Sequence, residues 1–203
     1  HRSEMGTGIR TSLPQVVADE MEADWARVKV IQGLANADYG SQNTDGSRSV
    51  RDFYHIMRQM GAAARSMLET AAAREWAVAP DAVRAEHHRV VHPDGRSLSF
   101  GELAASAAQL PLPNLETLPL KSEKEFRYIG KDVPIVDLED ICTGNTTYGI
   151  DVRIPDMLYA SIERTPFLQG RVIGYDRKAT LAAPGVVEVR HIEGTPLPSG
   201  YNA

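Results

Sequence analysis

The chain has 203 residues, of which 42% are hydrophobic and 24% charged, and its formal net charge is −5. These values are ordinary for a globular protein and allow one large or two small domains. The acidic balance and the scattered basic residues argue against a nucleic-acid-binding surface. No apolar run approaches the roughly 20 residues that a membrane-spanning helix needs, so no transmembrane segment is expected.

A glycine pair stands near the N-terminus, in the segment Glu4-Met5-Gly6-Thr7-Gly8. Glycine accepts a positive φ and lets a ligand approach the main chain closely. In the helical pattern that follows, Ser12 could cap the helix and Pro14 could lie in its first turn. We therefore predict a glycine loop that opens onto a helix, and we interpret Glu4 as part of the turn rather than as a catalytic base.

The longest helical pattern of the chain follows a predicted strand at residues 27–32 and a polar loop. From Val50 to Ala71, apolar residues recur with the spacing of three and four that places them on one helix face. We predict a long helix that ends near Glu75 and is buried along one side.

The start of this long helix has the residue types of an anion site. Gly46, Ser47 and Ser49 would leave backbone N–H groups and two hydroxyls at the positive end of the helix dipole, beside Arg48 and Arg51. Phosphate is the typical anion at such a position. The alternative is that Ser47 or Ser49 simply caps the helix. The two predicted helix starts could also converge on a single ligand.

A β-hairpin and a short alanine-rich helix are predicted next, at residues 83–100 and 101–110, with Pro93-Asp94-Gly95 as turn. His87, His88 and His92 raise the question of a metal site. We predict none, because consecutive strand residues point to opposite faces and no fourth ligand is near.

Pro111, Pro113 and Pro119 predict a linker at residues 111–124 and a second unit after it. Short helices are predicted at 137–142 and 178–183. Four strands are predicted, at 147–152, 157–163, 171–175 and 186–192. Cys142 is interpreted as a small buried residue, because no histidine is placed near it to activate the thiol.

Both glycine segments resemble the molybdopterin-binding segments of the xanthine oxidase and aldehyde oxidase family. The matching residues are Glu4-Met5-Gly6-Thr7-Gly8 with Thr11, and Gly46-Ser47-Arg48-Ser49-Val50-Arg51-Asp52. The second unit resembles the hammerhead domain of that family at Thr143-Gly144, residues 148–151 and 155–160, Tyr175-Asp176 and residues 184–186. The glycine motif precedes the hammerhead-like unit, an order similar to that of large (beta) subunits of the isoquinoline 1-oxidoreductase type.

This resemblance implies an α+β fold. A portion of a molybdopterin-binding α/β domain would occupy residues 1–110, and a hammerhead-like α/β domain would occupy residues 125–203. The chain is then expected to be a fragment of a large subunit, inactive alone, because no stretch matches the glycine-rich loop that carries the family's general-base glutamate. No catalytic residue is therefore predicted within it.

The family's activity is hydroxylation of aldehydes or N-heterocycles with oxygen derived from water. The implied cofactor is molybdopterin cytosine dinucleotide with molybdenum. The implied partners are an iron–sulfur small subunit with 2Fe-2S clusters and a cytochrome c subunit, and the implied location is the periplasm. The residues implied to bind the cofactor are Gly6, Thr7 and Gly8 at the molybdenum and pterin end, and Gly46, Ser47, Arg48 and Ser49 at the pyrophosphate and pterin.

A second hypothesis is a structural or assembly module that retains the scaffold without the cofactor. Two departures from the family pattern motivate it. Thr7 stands where glutamine is usual, and Asp45 stands where a small residue is usual.

Overall fold

The computed structural model describes residues 1–167 and 170–193. Its helices are α1 (Ile9–Met21), α2 (Arg48–Trp76), α3 (Phe100–Ala107), α4 (Leu138–Thr143) and α5 (Arg177–Ala182). Its strands are β1 (Arg84–Glu86), β2 (Arg89–Val91) and β3 (Ser97–Ser99). The chain divides into two compact units, His1–Thr147 and Tyr148–Ala203. This combination of helices and strands confirms the predicted α+β class.

Helices α1 and α2 form the framework of the first unit, and they pack closely because α2 carries a glycine at their contact. A Cβ atom on Gly61 would lie 2.6 Å from the carbonyl oxygen of Val17 and 2.7 Å from Cβ of Glu20. Both distances are shorter than atoms tolerate, so any larger side chain would force the helices apart. Gly61 therefore fixes how α1 lies against α2.

The predicted long helix is confirmed within about one residue at its end, but its buried face is confirmed only over the second half. There, Leu68 and residues 71–73 join the main core with Val90 and Phe100. In the first half Val50 and Met60, both members of the predicted stripe, are 44% and 37% exposed. The core of the first unit therefore lies at the C-terminal end of α2.

Strands β1, β2 and β3 form an antiparallel sheet in that order, which confirms the predicted hairpin. Val90, fully buried at its centre, pairs with Ala85 and Leu98. His87 and His88 form the β1–β2 turn, and their φ values of 47° and 66° are those of a type I′ turn. The prediction that these histidines stand on opposite faces of a strand was therefore wrong.

Helix α1 begins at Ile9, before the predicted cap. The Ser12 hydroxyl donates to the carbonyl oxygen of Gly8 at 3.0 Å, and Pro14 lies inside the helix. The predicted Ser12 cap and first-turn Pro14 were therefore wrong. The predicted strand at 27–32 was also wrong, because Trp25–Arg27 form a 3₁₀ turn and no strand of the described residues pairs with the segment that follows.

The predicted linker lies within the first compact unit. Lys121 is buried, and its Nζ donates to the backbone oxygen of Asp19 at 2.7 Å and to Asp19 Oδ1 at 3.1 Å. Glu20 pairs with Arg58, which also donates to the backbone oxygen of Lys121. These contacts tie the proline-rich segment to α1 and α2. The assignment of residues 1–110 and 125–203 to separate domains remains a prediction.

Asp19 also holds the chain that follows this segment. Its carboxylate accepts the backbone N–H groups of Arg127 at 3.1 Å and of Tyr128 and Ile129 at 2.8 Å. Burial alone would raise the pKa of Asp19, but these N–H groups and the Lys121 ammonium lower it below its usual value. The fully buried carboxylate is therefore ionised at neutral pH.

The second unit, in the described residues after Tyr148, contains α5 and a 3₁₀ turn at Gly149–Asp151 but no strand. The four predicted strands were wrong in the described residues, since alternating apolar residues form strands only where backbone groups find a partner. Helices α4 and α5 confirm the two predicted short helices. Cys142 is exposed, so its predicted burial was wrong. The hammerhead-like assignment remains a prediction.

Within the described residues, none of the helices combines the length and the apolar character needed to cross a membrane.

Candidate functional site

The first three residues connect the two predicted glycine segments. The Ser3 N–H donates to the carbonyl oxygen of Gln42 at 3.1 Å, and the Ser3 carbonyl oxygen accepts the Thr44 hydroxyl at 2.5 Å. One residue earlier, Arg2 Nε donates to Ser49 Oγ at 3.0 Å. The structure therefore joins the chain that leads into α1 to the loop that leads into α2.

The first glycine segment is closed on the side chain of Glu4. Oε1 of this carboxylate accepts the N–H groups of Met5 at 2.9 Å, Gly6 at 2.6 Å, Thr7 at 2.7 Å and Gly8 at 3.2 Å. Its Oε2 accepts the N–H of Arg10, in the first turn of α1, at 3.0 Å. One carboxylate thus satisfies five backbone donors around the helix start.

Glycine is needed in this segment for conformation rather than for space. Gly6 and Gly8 have φ values of 94° and 79°, in the left-handed region that side chains disfavour. A Cβ atom on either residue would meet nothing within 4 Å. These two conformations turn successive N–H groups toward one point, which makes an anion-binding concavity.

The charge of Glu4 is balanced by these donors and by the helix dipole. Burial would raise the pKa of Glu4, but the N–H groups of Arg10, Thr7, Gly6 and Gly8 lower it below its usual value. At neutral pH the carboxylate is therefore ionised and occupies the concavity itself.

Thr7 is the polar side chain that this closed loop exposes. Its hydroxyl has no hydrogen-bond partner among the described residues. Met5, beside it, is 66% exposed. The surface of the first loop therefore consists of an apolar thioether side chain, a hydroxyl and glycine backbone.

The start of α2 has no such internal anion. Gly46 and the N-cap residue Ser47 are left-handed, with φ values of 54° and 56°, and Ser47 makes no side-chain cap. The first turn of α2 contains no acidic residue. The Ser49 hydroxyl interacts with Arg2 and with the Thr44 hydroxyl, at 3.0 and 3.3 Å. Simple capping by either serine, the alternative prediction, is therefore not observed.

The charged residues around this start are partly paired. Arg48 Nη2 lies 2.9 Å from Asp45 Oδ1, and Arg51 Nε lies 3.1 Å from Asp52 Oδ1. Both pairs are exposed to solvent, where such ion pairs contribute little. The carboxylate of Asp45, which precedes the helix start, is thus paired with Arg48.

Arg2 is the buried cation of the site, with 5% of its surface exposed. Besides Ser49, its guanidinium donates from Nη1 to the carbonyl oxygen of Ser41 at 2.5 Å and lies 5.0 Å above the ring of Phe53. Its Nη2 is buried without a hydrogen-bond partner in the described structure. None of the ion pairs within the described residues involves Arg2.

Arg2 was not predicted from the sequence. The interpretation of Glu4 as part of the turn is confirmed, but its role as acceptor of five backbone N–H groups was not predicted. The carboxylate two residues before a glycine pair was a local signal for Glu4, since its side chain reaches only the next few N–H groups. Arg2 gave no such signal, because its partner Ser49 lies 47 residues away.

A family model described as the molybdopterin cofactor-binding domain matches residues 2–149 of the chain. This range includes both glycine segments and Arg2. The chain therefore belongs to this family of molybdopterin-binding domains, found in the large subunits of molybdenum hydroxylases. The predicted family is confirmed.

Three relatives illustrate the similarity. The beta subunit of isoquinoline 1-oxidoreductase from Brevundimonas diminuta is 32% identical over 92% of the chain and 29% of its own length. A nicotinate dehydrogenase subunit from Pseudomonas putida is 31% identical over 92% of the chain and 16% of its own length. The membrane-bound aldehyde dehydrogenase (pyrroloquinoline-quinone) from Gluconacetobacter polyoxogenes is 34% identical over 83% of the chain and 22% of its own length.

The chain thus spans less than a third of the length of these relatives. Within the described residues, no group of three or more histidine, cysteine, aspartate or glutamate side chains could hold a metal ion. What the described residues offer is a set of N–H groups, hydroxyls and guanidinium groups, which suits an anionic, oxygen-rich ligand.

Proposed function

We propose that the start of α2, with Arg2 beneath it, holds the phosphate end of a molybdenum–pterin cofactor. The observation that carries the proposal is the buried Arg2 guanidinium, which contacts Ser49 and has no ion-pair partner among the described residues. A buried charge is costly unless an opposite charge or hydrogen bonds compensate it. An anion bound at the adjacent helix start would supply that opposite charge.

The remaining donors fit the same ligand. Gly46 and Ser47 stand at a helix start with no acidic residue in the first turn, where backbone N–H groups and the helix dipole favour phosphate. The exposed guanidinium of Arg48 would lie beside the phosphate and would pair with it in place of Asp45. The four predicted residues of this segment, Gly46 to Ser49, therefore form one proposed cradle with Arg2.

The first glycine loop is proposed to lie against the molybdenum and pterin end, as the family resemblance implies for Gly6, Thr7 and Gly8. Support comes from Ser3, which joins this loop to the α2 start through Gln42 and Thr44. When bound, the cofactor would supply the two-electron redox chemistry, while this chain binds and orients it.

For the full-length protein we propose hydroxylation of an aldehyde or an N-heterocycle with water-derived oxygen. Support comes from the relatives, whose names specify isoquinoline, nicotinate and aldehyde. Two of them are named as subunits, so multi-subunit assembly is expected. The cytosine dinucleotide form of the cofactor and a 2Fe-2S partner subunit are part of this proposal.

The test is the cofactor content of the full-length protein, expressed natively with its partner subunit. We expect about one molybdenum by mass spectrometry and about one CMP released by acid hydrolysis per large subunit. Correctly folded protein with neither would overturn the proposal and favour the cofactor-free module.

Variants then locate the site. Arg2→Gln and Ser49→Ala should each lower the cofactor content severalfold, because each removes a donor from the cradle. Arg84→Gln is the matched control, since Arg84 is an exposed arginine whose guanidinium pairs with Glu86. Equal cofactor content in all three variants, with folding verified by circular dichroism, would show that the cofactor binds elsewhere.

A further inference from the structure

The starts of α1 and α2 differ in the acceptors of their backbone N–H groups. This difference determines which groups of the first loop are free to contact a ligand. Five N–H groups, from Met5 to Gly8 and from Arg10, already donate to Glu4 at distances of 2.6 to 3.2 Å. A second anion could use these donors only by displacing the carboxylate.

We infer that Glu4 is a positioning residue, which holds the Gly6–Gly8 loop closed so that the loop contacts the cofactor through the Thr7 hydroxyl and not through its backbone N–H groups. This inference rests on the proposed function, since it takes the bound group to be the molybdenum–pterin cofactor.

Three observations support a positioning role. The carboxylate bonds are local and saturate the donors of the loop. The glycines at positions 6 and 8 have open space around them, so their left-handed φ values serve the loop shape and not close packing. Thr7 is exposed, and its hydroxyl is without a partner in the described residues. A closed loop therefore presents one hydroxyl in a fixed place.

The carboxylate also sets the charge of the loop. With Glu4 ionised, the positive end of α1 is neutralised, and the positive start of α2 remains the place for phosphate. Arg10, at the same helix start, is paired through its guanidinium with Asp137 at 3.0 Å, so Asp137 is the other carboxylate that faces this helix start. The two loops would thus divide the cofactor, with the uncharged contact at α1 and the anionic contact at α2.

The first arm of the test follows the amide protons of Gly6 and Gly8 in the ¹⁵N-glycine-labelled chain between pH 3 and pH 7. We expect both resonances to shift together as one group titrates, with a midpoint below the usual glutamate range, and the shift to be absent in Glu4→Gln. Glu102→Gln is the control, because Glu102 also accepts a backbone N–H at a helix start, that of Ser99 at α3, and lies on another element. Glycine amides that do not titrate, or that titrate unchanged in Glu4→Gln, would overturn the inference.

The second arm measures molybdenum and CMP in the full-length protein with its partner subunit. Glu4→Gln and Thr7→Val should each lower the content severalfold, Glu4→Asp should recover part of it, and Glu102→Gln should leave it unchanged. A higher content in Glu4→Gln would show that the carboxylate competes with the cofactor for the N–H groups, which contradicts a positioning role.

The two arms separate this inference from the proposed function. If the unaltered protein contains neither molybdenum nor CMP, the proposed function fails, and the cofactor half of the inference fails with it. The titration of Gly6 and Gly8 still decides whether Glu4 holds the loop.

Discussion

Helices α1 and α2 begin with the same backbone conformation but with opposite charge around it. Their N-cap residues, Gly8 and Ser47, are both left-handed, and neither caps its helix with a side chain. At α1 the carboxylate of Glu4 accepts the exposed N–H groups. At α2 a buried Arg2 lies beneath the start, and the first turn contains no acidic residue.

A glycine loop before a helix is therefore not by itself a site for an external anion. What decides is whether the chain supplies its own anion. Asp19 gives a third example, because its buried carboxylate accepts three consecutive N–H groups from Arg127 to Ile129. The N–H groups at the α1 start and at residues 127–129 thus donate to carboxylates of the chain itself. At the α2 start, a bound ligand would supply the anion.

The largest effect on the free energy of unfolding should come from removing the charge of the Asp19 carboxylate. In Asp19→Asn, an amide that both donates and accepts replaces an anion that faces three N–H groups and the buried Lys121 ammonium. We expect a loss of about 3 kcal/mol in the free energy of unfolding, measured with urea. Asp132→Asn, at an exposed aspartate, should change it by less than about 0.5 kcal/mol. A loss in Asp19→Asn no larger than this control would refute the role given to Asp19.

The next effect should come from the N-cap of α1. Gly8→Ala places a Cβ atom on a residue with φ of 79° and should lower the free energy of unfolding by about 1–2 kcal/mol. Gly149→Ala is the matched control, because that glycine also has open space but no positive φ. Equal thermal stability of the two variants would mean that the loop of α1 is not held in this conformation.

Whether a feature could be predicted from the sequence depended on how far apart in the sequence its contacting residues lie. The spacing of apolar residues predicted α2, and Pro93-Asp94-Gly95 predicted the hairpin, because these signals act within a few residues. The predicted strands at 27–32 and beyond Thr147 failed because alternation does not supply a partner strand. The α2 start was predicted from its residue types, but Arg2 beneath it was not.

The acidic cluster at the end of α1 carried a signal that could have been used. Asp19, Glu20 and Glu22 lie at the C-terminal end of the helix, where the dipole disfavours negative charge. Such a local conflict indicates compensation from elsewhere. The structure supplies it from Arg58 and from the buried Lys121, whose position in a proline-rich segment had suggested a linker.

A smaller effect is expected at Glu69 and Glu4, two carboxylates whose removal should change the free energy of unfolding in opposite directions. Glu69 is mainly buried, whereas Glu4 accepts several N–H groups. Glu69 accepts one N–H, from Ala85 at 2.8 Å, and burial raises its pKa above the usual value. Its ionised form is therefore less favourable in the folded chain than in the unfolded chain. Glu69→Gln should raise the free energy of unfolding at pH 7 by less than about 1 kcal/mol.

Glu4→Gln should do the reverse. The pKa of Glu4 is lowered in the folded chain, so its stabilisation is present above the usual glutamate pKa and is lost as the pH falls through the lowered value. Urea unfolding of both variants from pH 3 to pH 7 tests this. The same sign for the two variants at pH 7 would contradict the distinction.

The smallest effect should come from the N-cap of α2. Ser47→Gly relieves a left-handed φ of 56° and removes no side-chain cap, so the free energy of unfolding should rise by about 0.5 kcal/mol. Ser47 belongs to the proposed cradle, so loss of its hydroxyl should nevertheless lower the cofactor content of the full-length protein. A fall in stability together with unchanged cofactor content would reverse the role assigned to Ser47.

The closed loop at the start of α1 also has a practical meaning for protein engineering. All of the hydrogen bonds that Glu4 accepts come from residues 5–10, so seven consecutive residues contain both the concavity and the carboxylate that occupies it. Such a segment could be transferred to the start of a helix in another protein without any other residue of this chain. The start of α2 could not, because its buried cation is contributed by a residue 47 positions away.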